Sequence, residues 1–348
     1  MEDFLRGRPA WNEHYNCSLY DWRSIPLEQR YHPYLSTYRI VASCFLEVIC
    51  ALVLFAISRP KYIKQASYKL MFALELSEMV ELGLVGIIAP MFGLLGIVYC
   101  SNPILDLCVG TMGLGIWYFE GQLSILLALN RCLIIYDADR ARQLFQKHGR
   151  VYIWLGVVIV ISLIMLCFGA PVVYSAAGGG FFFDPHIIYR TSYDPYFFNM
   201  VHFVFNHVVA LALVVIYLVF GTLIYRRQKM GLQRYAISKN ELSLFLQISI
   251  ICFLTVLSCI GYAYQGFLFE YKPLIIITAD AYLLYLGSPA FVYLVLNKSV
   301  RYEVACLLAY MAGRSVVAHA SDFNSTAQRG KSRTAIQAES SANKDSIG

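Results

Sequence analysis

Long apolar stretches separated by short polar segments dominate the chain from about residue 40 to residue 296. A helix needs about 20 mostly apolar residues to cross the roughly 30 Å hydrocarbon core of a bilayer, at about 1.5 Å per residue. Seven stretches meet this requirement, and we predict one membrane-spanning helix in each. They are Ile40–Ser58, Tyr68–Pro90, Ile104–Ile135, Val151–Tyr174, Phe198–Ile224, Leu242–Phe267 and Leu274–Leu296.

The second stretch is the least regular, because three glutamates interrupt it and Pro90 follows. Two crossings would need about 40 residues and a turn, so we predict a single crossing. At about 100° per residue, Glu75, Glu78 and Glu81 fall within an arc of about 120° on one face. That arrangement favours a cation or proton site inside the bundle, unless Glu75 reaches the interface and only one or two of the carboxyls are deep.

The composition excludes a water-soluble fold of this length. Of the 348 residues, 58% are apolar and 14% charged, and the mean hydropathy is +0.57. A soluble domain has about 45–50% apolar and about 25% charged residues. We therefore predict an all-α membrane protein, a seven-transmembrane helix bundle whose solvent is the lipid bilayer. Nucleic acid is not expected as a partner, because the net charge of +6 is modest.

Lysine and arginine orient the predicted bundle, because they collect in cytoplasmic loops. The loops after the first, third and fifth helices hold fourteen of them, whereas the loops of the other parity hold only Arg190 and Lys272. We therefore expect the N-terminus outside and the C-terminus in the cytosol. The first 36 residues lack the apolar core of a cleavable signal peptide, so the first helix is expected to be an uncleaved anchor. The fourteen residues are Arg59, Lys61, Lys64, Lys69, Arg131, Arg140, Arg142, Lys147, Arg150, Arg226, Arg227, Lys229, Arg234 and Lys239.

This topology divides the chain into four regions. We expect an extracellular segment at 1–36, the bundle at 37–299, an amphipathic juxtamembrane helix at 300–311 and a disordered cytosolic tail at 312–348. Cys306 in the amphipathic helix is a candidate for palmitoylation. The alternative is a plain buried thiol.

The topology also singles out two cysteines and one asparagine. Of ten cysteines, only Cys17 and Cys100 face the oxidising side. We predict a disulfide between them, and two free thiols remain the alternative, because connectivity cannot be read from sequence alone. Asn16-Cys17-Ser18 is a glycosylation sequon on the same side, which makes Asn16 a candidate acceptor.

Motifs typical of soluble enzymes are absent from the sequence. There is no Walker loop, no His-Glu-x-x-His pair and no Gly-x-Ser-x-Gly elbow, so we expect no catalytic residue, no metal and no cofactor. Gly110, Gly113 and Gly115 lie inside an apolar helix and indicate close helix packing rather than a phosphate-binding loop. Asp280 has no aspartate partner at the same depth, which argues against intramembrane aspartyl proteolysis.

Several short motifs carry a family resemblance. With Arg131 closing a long third helix, a proline near the end of the seventh and an amphipathic eighth helix, the chain resembles the nematode serpentine chemoreceptors of class T. These are rhodopsin-like G-protein-coupled receptors, and the resemblance covers roughly residues 15–305. The motifs are Tyr15-Asn16-Cys17-Ser18, Ser67-Tyr68-Lys69-Leu70-Met71, Tyr99-Cys100-Ser101-Asn102-Pro103 and Leu126-Leu127-Ala128-Leu129-Asn130-Arg131-Cys132.

The resemblance implies a plasma-membrane receptor of a sensory neuron that binds an external small molecule and activates a cytosolic heterotrimeric G protein. It assigns the change between the inactive and the active state (the switch) to Asn130, Arg131, Pro289 and Tyr293. Arg131 would hold the closed state and then contact the G protein, and Pro289 would kink the seventh helix. The chain departs from the superfamily pattern at Asn130, where an acidic residue is usual, and at Ser288, where asparagine is usual. These departures weaken two parts of the activation mechanism that is usual in the superfamily.

The resemblance also implies a polar site in the middle of the bundle. Glu78 matches the acidic position of the second helix, and Glu120 lies about 16 Å along the helix axis from Arg131, a level where such receptors hold a sodium ion. We expect Glu78, Glu120 and Ser288 to form one polar core site. The alternative is a hydrogen-bonded pair of carboxylic acids without an ion.

Depth along the predicted helices indicates where a ligand would bind. Apolar walls with a few polar groups suit small molecules, although any one aromatic residue more often serves packing than contact. The expected ligand-binding residues are Gly113, Leu114, Trp117, His202, Asn206, Tyr262, Gln265 and Tyr282.

Two other functions stay open at this point. The intramembrane carboxyls also suit a secondary transporter, although the chain shows no internal repeat. A ligand-gated channel is the other, and glycosylation of Asn16 would argue against the insect type, whose N-terminus is inside. The sequence argues against a retinal-binding light receptor, because Leu274–Leu296 contains no lysine for a Schiff base.

Overall fold

The computed structural model describes residues 14–189, 194–229, 239–268 and 271–312. Within these ranges, seven helices are long and apolar enough to cross a membrane, which confirms the predicted seven-transmembrane bundle. They are α1 (Pro33–Ile57), α2 (Ala66–Leu95), α3 (Pro103–Tyr136), α4 (Arg150–Phe168), α5 (Met200–Lys229), α6 (Lys239–Tyr264) and α7 (Lys272–Leu296).

Helix α2 makes a single crossing, as predicted, but it changes its winding on the way. It is α-helical over Ala66–Glu81, π-helical over Leu82–Ile88 and α-helical again over Ala89–Leu95. Pro90 has no backbone N–H and its ring crowds the carbonyl four residues earlier. The wider π-helical turn accommodates this break without ending the helix.

The fourth predicted span, Val151–Tyr174, is too long at its C-terminal end. Helix α4 ends at Phe168, and Val173–Ser175 forms strand β1 instead, which pairs antiparallel with strand β2, Gly180–Phe182. The sequence analysis missed this hairpin because a short apolar run next to a helix cannot be told from a helical segment by periodicity.

The two ends of the bundle carry different structures. We call the end with the β1–β2 hairpin the hairpin end, and the opposite end, where α3 closes, the Arg131 end. Between them, the most apolar segments of α2, α3 and α7 are 56%, 61% and 61% buried, whereas that of α4 is only 17% buried. The core therefore lies along α2, α3 and α7, and α4 is peripheral with most of its aliphatic side chains exposed, as a lipid-facing helix requires.

A second unit, Lys298–Gly348, begins directly after α7. Its described part is helix α8, Lys298–Met311, which covers the segment predicted as an amphipathic helix and includes a half-buried Cys306. The predicted disordered tail, from residue 313 onward, lies outside the described residues, as do residues 1–13 of the predicted extracellular segment.

The N-terminal segment is tied to the hairpin end by a disulfide between Cys17 and Cys100, whose Cα atoms are 5.4 Å apart. The rings of Tyr15 and Phe197 meet edge to face beside it, at a centroid distance of 5.8 Å. Tyr99 donates a hydrogen bond to the backbone carbonyl of Tyr15 at 3.1 Å. Burial raises the pKa of Tyr99, so the phenol keeps the proton that it donates.

This disulfide makes a direct chemical prediction. Alkylation of the unreduced protein followed by digestion is expected to yield a linked peptide pair containing Cys17 and Cys100, which separates only after reduction. Cys44 and Cys108, which are free, serve as internal controls: once detergent unfolds the unreduced protein, both should be alkylated without reduction. Alkylation of Cys17 and Cys100 in the unreduced protein would refute the bond.

Candidate functional site

A cavity opens among α2, α3, α5, α6 and α7 near the hairpin end. The space between its atoms, with the open mouth included, is about 880 Å³, and a concave, mostly apolar wall with a few polar groups is typical of small-molecule sites. Aromatic side chains dominate its lining, namely Trp117, Phe181, Phe182, Phe183, Phe198, Phe203, Tyr262, Phe267 and Tyr282. Its polar side chains belong to Glu81, Asp184, Asn199, His202, Gln265 and the tyrosines.

The structure brings seven of the eight expected ligand-binding residues to this one cavity. The eighth, Asn206, is buried behind the lining. Its Oδ1 accepts a hydrogen bond from Trp117 Nε1 at 2.9 Å, and its Nδ2 lies 3.1 Å from His202 Nε2. Asn206 therefore orients two lining side chains instead of lining the cavity itself. The seven lining residues are Gly113, Leu114, Trp117, His202, Tyr262, Gln265 and Tyr282.

A carboxyl of α2 meets three aromatic rings, one each from α3, α6 and α7, in this cavity. Tyr282 donates a hydrogen bond to Glu81 Oε1 at 2.7 Å. The Tyr282 ring also packs edge to face against Trp117 and Tyr262, at centroid distances of 5.4 Å and 5.1 Å. The sequence analysis noted Glu81 as an intramembrane carboxyl but did not assign it to the ligand site, because its neighbours come from distant parts of the chain.

The β1–β2 hairpin forms the roof of the cavity, and two polar side chains hold it there. Asp106 accepts a hydrogen bond from the backbone N–H of Tyr174 at 2.7 Å, and Gln265 Nε2 donates one to the carbonyl of Phe181 at 3.0 Å. The sequence analysis assigned none of the roof residues, because it did not predict the hairpin. The phenylalanines that line the roof are Phe181, Phe182 and Phe183.

Arg39 joins the hairpin to two helices. It is only 2% exposed; its Nε donates to Asp280 Oδ1 at 2.8 Å and its Nη1 to the carbonyl of Gly179 at 2.9 Å. A third bond runs from Nη2 to the carbonyl of Ile276 at 3.3 Å. Asp280 is therefore one half of an ion pair between α7 and α1, a role that the sequence analysis missed because 241 residues separate the partners.

A second cavity, of about 450 Å³ including its mouth, lies toward the Arg131 end. Two of the four predicted switch residues, Arg131 and Tyr293, line it together with Tyr217. The Nη2 atom of Arg131 lies 2.7 Å from the sulfur of Met71. The guanidinium thus faces a cavity shared by α2, α3, α5, α6 and α7, and its polar contact with α2 is to a thioether.

The other two switch residues have separate partners. Asn130 is buried and accepts a hydrogen bond from Ser67 at 2.6 Å, which links α3 to α2. Pro289 cannot donate to the carbonyl of Tyr285, four residues earlier. Ser288 supplies the missing donor, because its hydroxyl bonds to that carbonyl at 3.0 Å. Ser288 thereby repairs the helix beside the proline.

Four carboxyls form a buried row through the middle of the bundle. Glu75, Glu78, Glu81 and Glu120 are at most 2% exposed, so Glu75 does not reach the interface. Neither oxygen of Glu78 has a hydrogen-bond partner, and Glu120 Oε2 accepts a long bond of 3.4 Å from Tyr285. The two acids are therefore not hydrogen-bonded to each other. Within the described ranges, no group of three or more His, Cys, Asp or Glu side chains could hold a metal ion.

Comparison with known proteins places the whole chain in context. A family model described as serpentine type 7TM GPCR chemoreceptor Srt matches residues 5–315. Among curated proteins, the chain is similar to serpentine receptor class T-55 of Caenorhabditis elegans, with 26% identity over 255 residues. That match covers 69% of this chain and 65% of the relative, so the chain spans about two thirds of the relative's length.

Proposed function

Since the chain belongs to the Srt family of serpentine seven-transmembrane chemoreceptors, we propose that it binds an external small molecule and then activates a heterotrimeric G protein. The observation that carries this proposal is the aromatic cavity near the hairpin end, on which seven of the eight expected ligand residues converge. Its apolar wall and its few polar groups suit a small organic molecule. The second cavity, beside Arg131, would lie next to the G protein.

For this function the hairpin end must face the outside. Two features support that orientation: the loop lysines and arginines concentrate at the Arg131 end, and the disulfide at the hairpin end needs an oxidising compartment. Asn16 is exposed there, and its Oδ1 accepts a hydrogen bond from the Ser18 N–H at 2.9 Å. We propose that it carries a glycan, and that the protein resides in the plasma membrane of a sensory neuron.

Aromatic contacts provide a physical route from the ligand cavity toward the Arg131 end. The rings of Trp117 and Tyr282 lie 5.6 Å and 5.7 Å from the ring of Tyr285, which is fully buried. Tyr285 in turn reaches Glu120 through its hydroxyl. A ligand that displaces Trp117 or Tyr282 would therefore disturb Tyr285 and, through α7, the packing around Tyr293. Such a coupled shift of helices is a common form of receptor switching.

The buried carboxyls support a second role for the core. We propose that Glu78, Glu120 and Ser288 take part in a polar site. A monovalent cation or a proton would occupy this site in one of the two receptor conformations, inactive or active. The unpartnered oxygens of Glu78 favour such an occupant. Ser288 would have to turn away from the Tyr285 carbonyl to join the site.

In the second unit, Cys306 on α8 is proposed as a palmitoylation site that anchors this helix to the membrane.

A signalling experiment tests the main proposal. Cells expressing the chain are exposed to a panel of volatile and soluble chemicals while second messengers and membrane current are recorded. An Arg131→Ala variant is expected to lose the second-messenger response to an active chemical by about tenfold or more, because the G-protein contact depends on this guanidinium. Arg140→Ala is the matched control and should respond normally, since Arg140 is exposed and, among the described residues, its side chain pairs with Asp137 at the surface.

The same recordings distinguish the competing functions. A ligand-gated current that survives blockade of G proteins would contradict the proposal and favour a channel. Uptake of the active chemical, coupled to an ion and abolished by Glu78→Gln, would favour a secondary transporter. A second-messenger response without current or uptake is the result that the proposed function requires.

A further inference from the structure

We propose that the ligand of the aromatic cavity is a small organic amine, held as an ammonium ion by Glu81 and the aromatic rings beside it. This inference rests on the proposed function only in taking the cavity as the place where the ligand binds. It assigns to Glu81 a role as the counter-ion of the ligand.

The described wall of the cavity carries carboxyl groups and lacks a basic side chain with a fixed charge. Among the described residues that line it there is no lysine and no arginine. Glu81 Oε1 is occupied by the Tyr282 hydroxyl, but Oε2 is buried and has no hydrogen-bond partner. A buried carboxyl without a counter-ion takes up a proton, and it is stable as a carboxylate only beside a positive charge. A ligand amine can take that proton and remain beside Glu81 as the ammonium counter-ion. The other carboxyl of the wall, Asp184, already accepts a hydrogen bond from the His186 backbone N–H at 2.8 Å.

The neighbouring basic groups do not supply that charge. Arg39, which holds the hairpin, is already paired with Asp280 at 2.8 Å. His202 lines the cavity, but Asn206 uses its Oδ1 to accept from Trp117, so its Nδ2 must donate to the His202 ring. A ring nitrogen that accepts a hydrogen bond carries no proton, and His202 is therefore the neutral imidazole.

Aromatic rings are grouped on the side of the cavity where Glu81 lies. Tyr282 touches the carboxyl, and Trp117 and Tyr262 both pack against Tyr282 within 5.4 Å. The faces of tryptophan and tyrosine attract cations, most strongly where water is excluded. A carboxylate next to several aromatic rings is thus suited to an ammonium group, whereas an anionic ligand would meet repulsion from both.

The remaining unpartnered groups point to a ligand that donates hydrogen bonds. Gln265 gives its Nε2 to the Phe181 carbonyl, which leaves the buried Oε1 as an acceptor without a donor. The buried hydroxyl of Tyr262 also has no partner. An ammonium has three N–H donors and no acceptor, so it satisfies Glu81 and leaves donors for these groups. The apolar part of the amine would pack against the phenylalanines of the roof.

Matched pairs of amines and alcohols test the proposal without any G protein. The chain is purified in lipid nanodiscs, and its melting temperature is measured with 2-phenylethylamine, cyclohexylmethylamine, isoamylamine or tryptamine, each against its alcohol of the same skeleton. At least one amine is expected to raise the melting temperature in a saturable manner, while its alcohol does so only at about tenfold or higher concentration. If no amine stabilises the protein, or if amine and alcohol act equally, the proposal is wrong.

Two carboxyl variants locate the counter-ion. Glu81→Gln keeps an acceptor for Tyr282 but removes the charge, and it is expected to weaken amine binding by about tenfold or more while alcohol binding is unchanged. Glu47→Gln is the matched control, because Glu47 is a half-buried carboxyl on α1 that does not line the cavity. Unchanged amine binding in Glu81→Gln would overturn the assignment. Since binding is read from melting alone, an amine that binds without a second-messenger response would leave this inference standing and count against the proposed function.

Discussion

Gly110→Ala is expected to prevent stable folding of the bundle or to lower its melting temperature sharply. A Cβ atom at this position would overlap the backbone carbonyl of Val172 and lie 2.7 Å from its carbonyl carbon. Backbone cannot move aside as a side chain can, and Val172 immediately precedes β1. We therefore expect a cost at or above the upper end of the ~1–3 kcal/mol that overpacking causes.

Gly156→Ala is the control for this experiment. Gly156 also lies inside a long helix, but an added Cβ would meet nothing within 4 Å. Alanine there should leave the melting temperature unchanged or raise it slightly, since alanine is favoured over glycine in helices by about 0.5–1 kcal/mol. The measurement is thermal unfolding in nanodiscs together with the amount of protein at the cell surface. Equal stability of the two variants would show that α3 and the segment before β1 do not pack as described.

Arg39→Met is expected to release the hairpin from the helices and to destabilise the hairpin end. The variant keeps an apolar stem of similar length but leaves Asp280 and the carbonyls of Gly179 and Ile276 without their donor. Breaking a fully buried ion pair costs about 3–5 kcal/mol. The Asp280 side chain is 29% exposed, so water recovers part of that loss, and we expect about 2–3 kcal/mol here.

Hydrogen exchange separates loss of the anchor from general unfolding. In Arg39→Met, backbone amides of β1 and β2 should exchange faster, whereas those in the middle of α3 should not. Asp280→Asn is the matched variant, because its amide oxygen still accepts from Arg39, and it should lose less stability. If Arg39→Met leaves both the melting temperature and the exchange of the hairpin unchanged, Arg39 does not anchor the roof.

The cysteines and the carboxyls show how far sequence reasoning reaches. A disulfide between Cys17 and Cys100 could be predicted from sequence, with two free thiols as the alternative, because the predicted topology left only these two on the oxidising side; the structure joins them. Glu78 and Glu81 could both be recognised as intramembrane carboxyls, because charge inside an apolar stretch is conspicuous. Which of them faces the ligand cavity could not be inferred, since that depends on the rotation of α2 against α3 and α7.

The roof of the cavity was beyond sequence reasoning for a related reason. Val173 and Tyr174 extend the apolar run of α4, so the fourth span was predicted to continue through them, whereas the chain turns into β1. The anchors of the hairpin come from Arg39, Asp106 and Gln265, which lie 68 to 140 residues from the backbone groups that they bind. Hydrogen bonds across such separations leave no local pattern.

The sequence by itself determined the number of membrane helices, because each crossing needs about 20 apolar residues and this requirement is local. It also determined the family resemblance, because short motifs carry it. Only the tertiary structure decided which side chains meet: Glu81 with Tyr282, Arg39 with Asp280, and Ser288 with the carbonyl freed by Pro289. Contacts between helices depend on the rotation and depth of each helix. In a bundle whose faces are nearly all apolar, packing sets those two quantities, and the hydrophobic pattern does not.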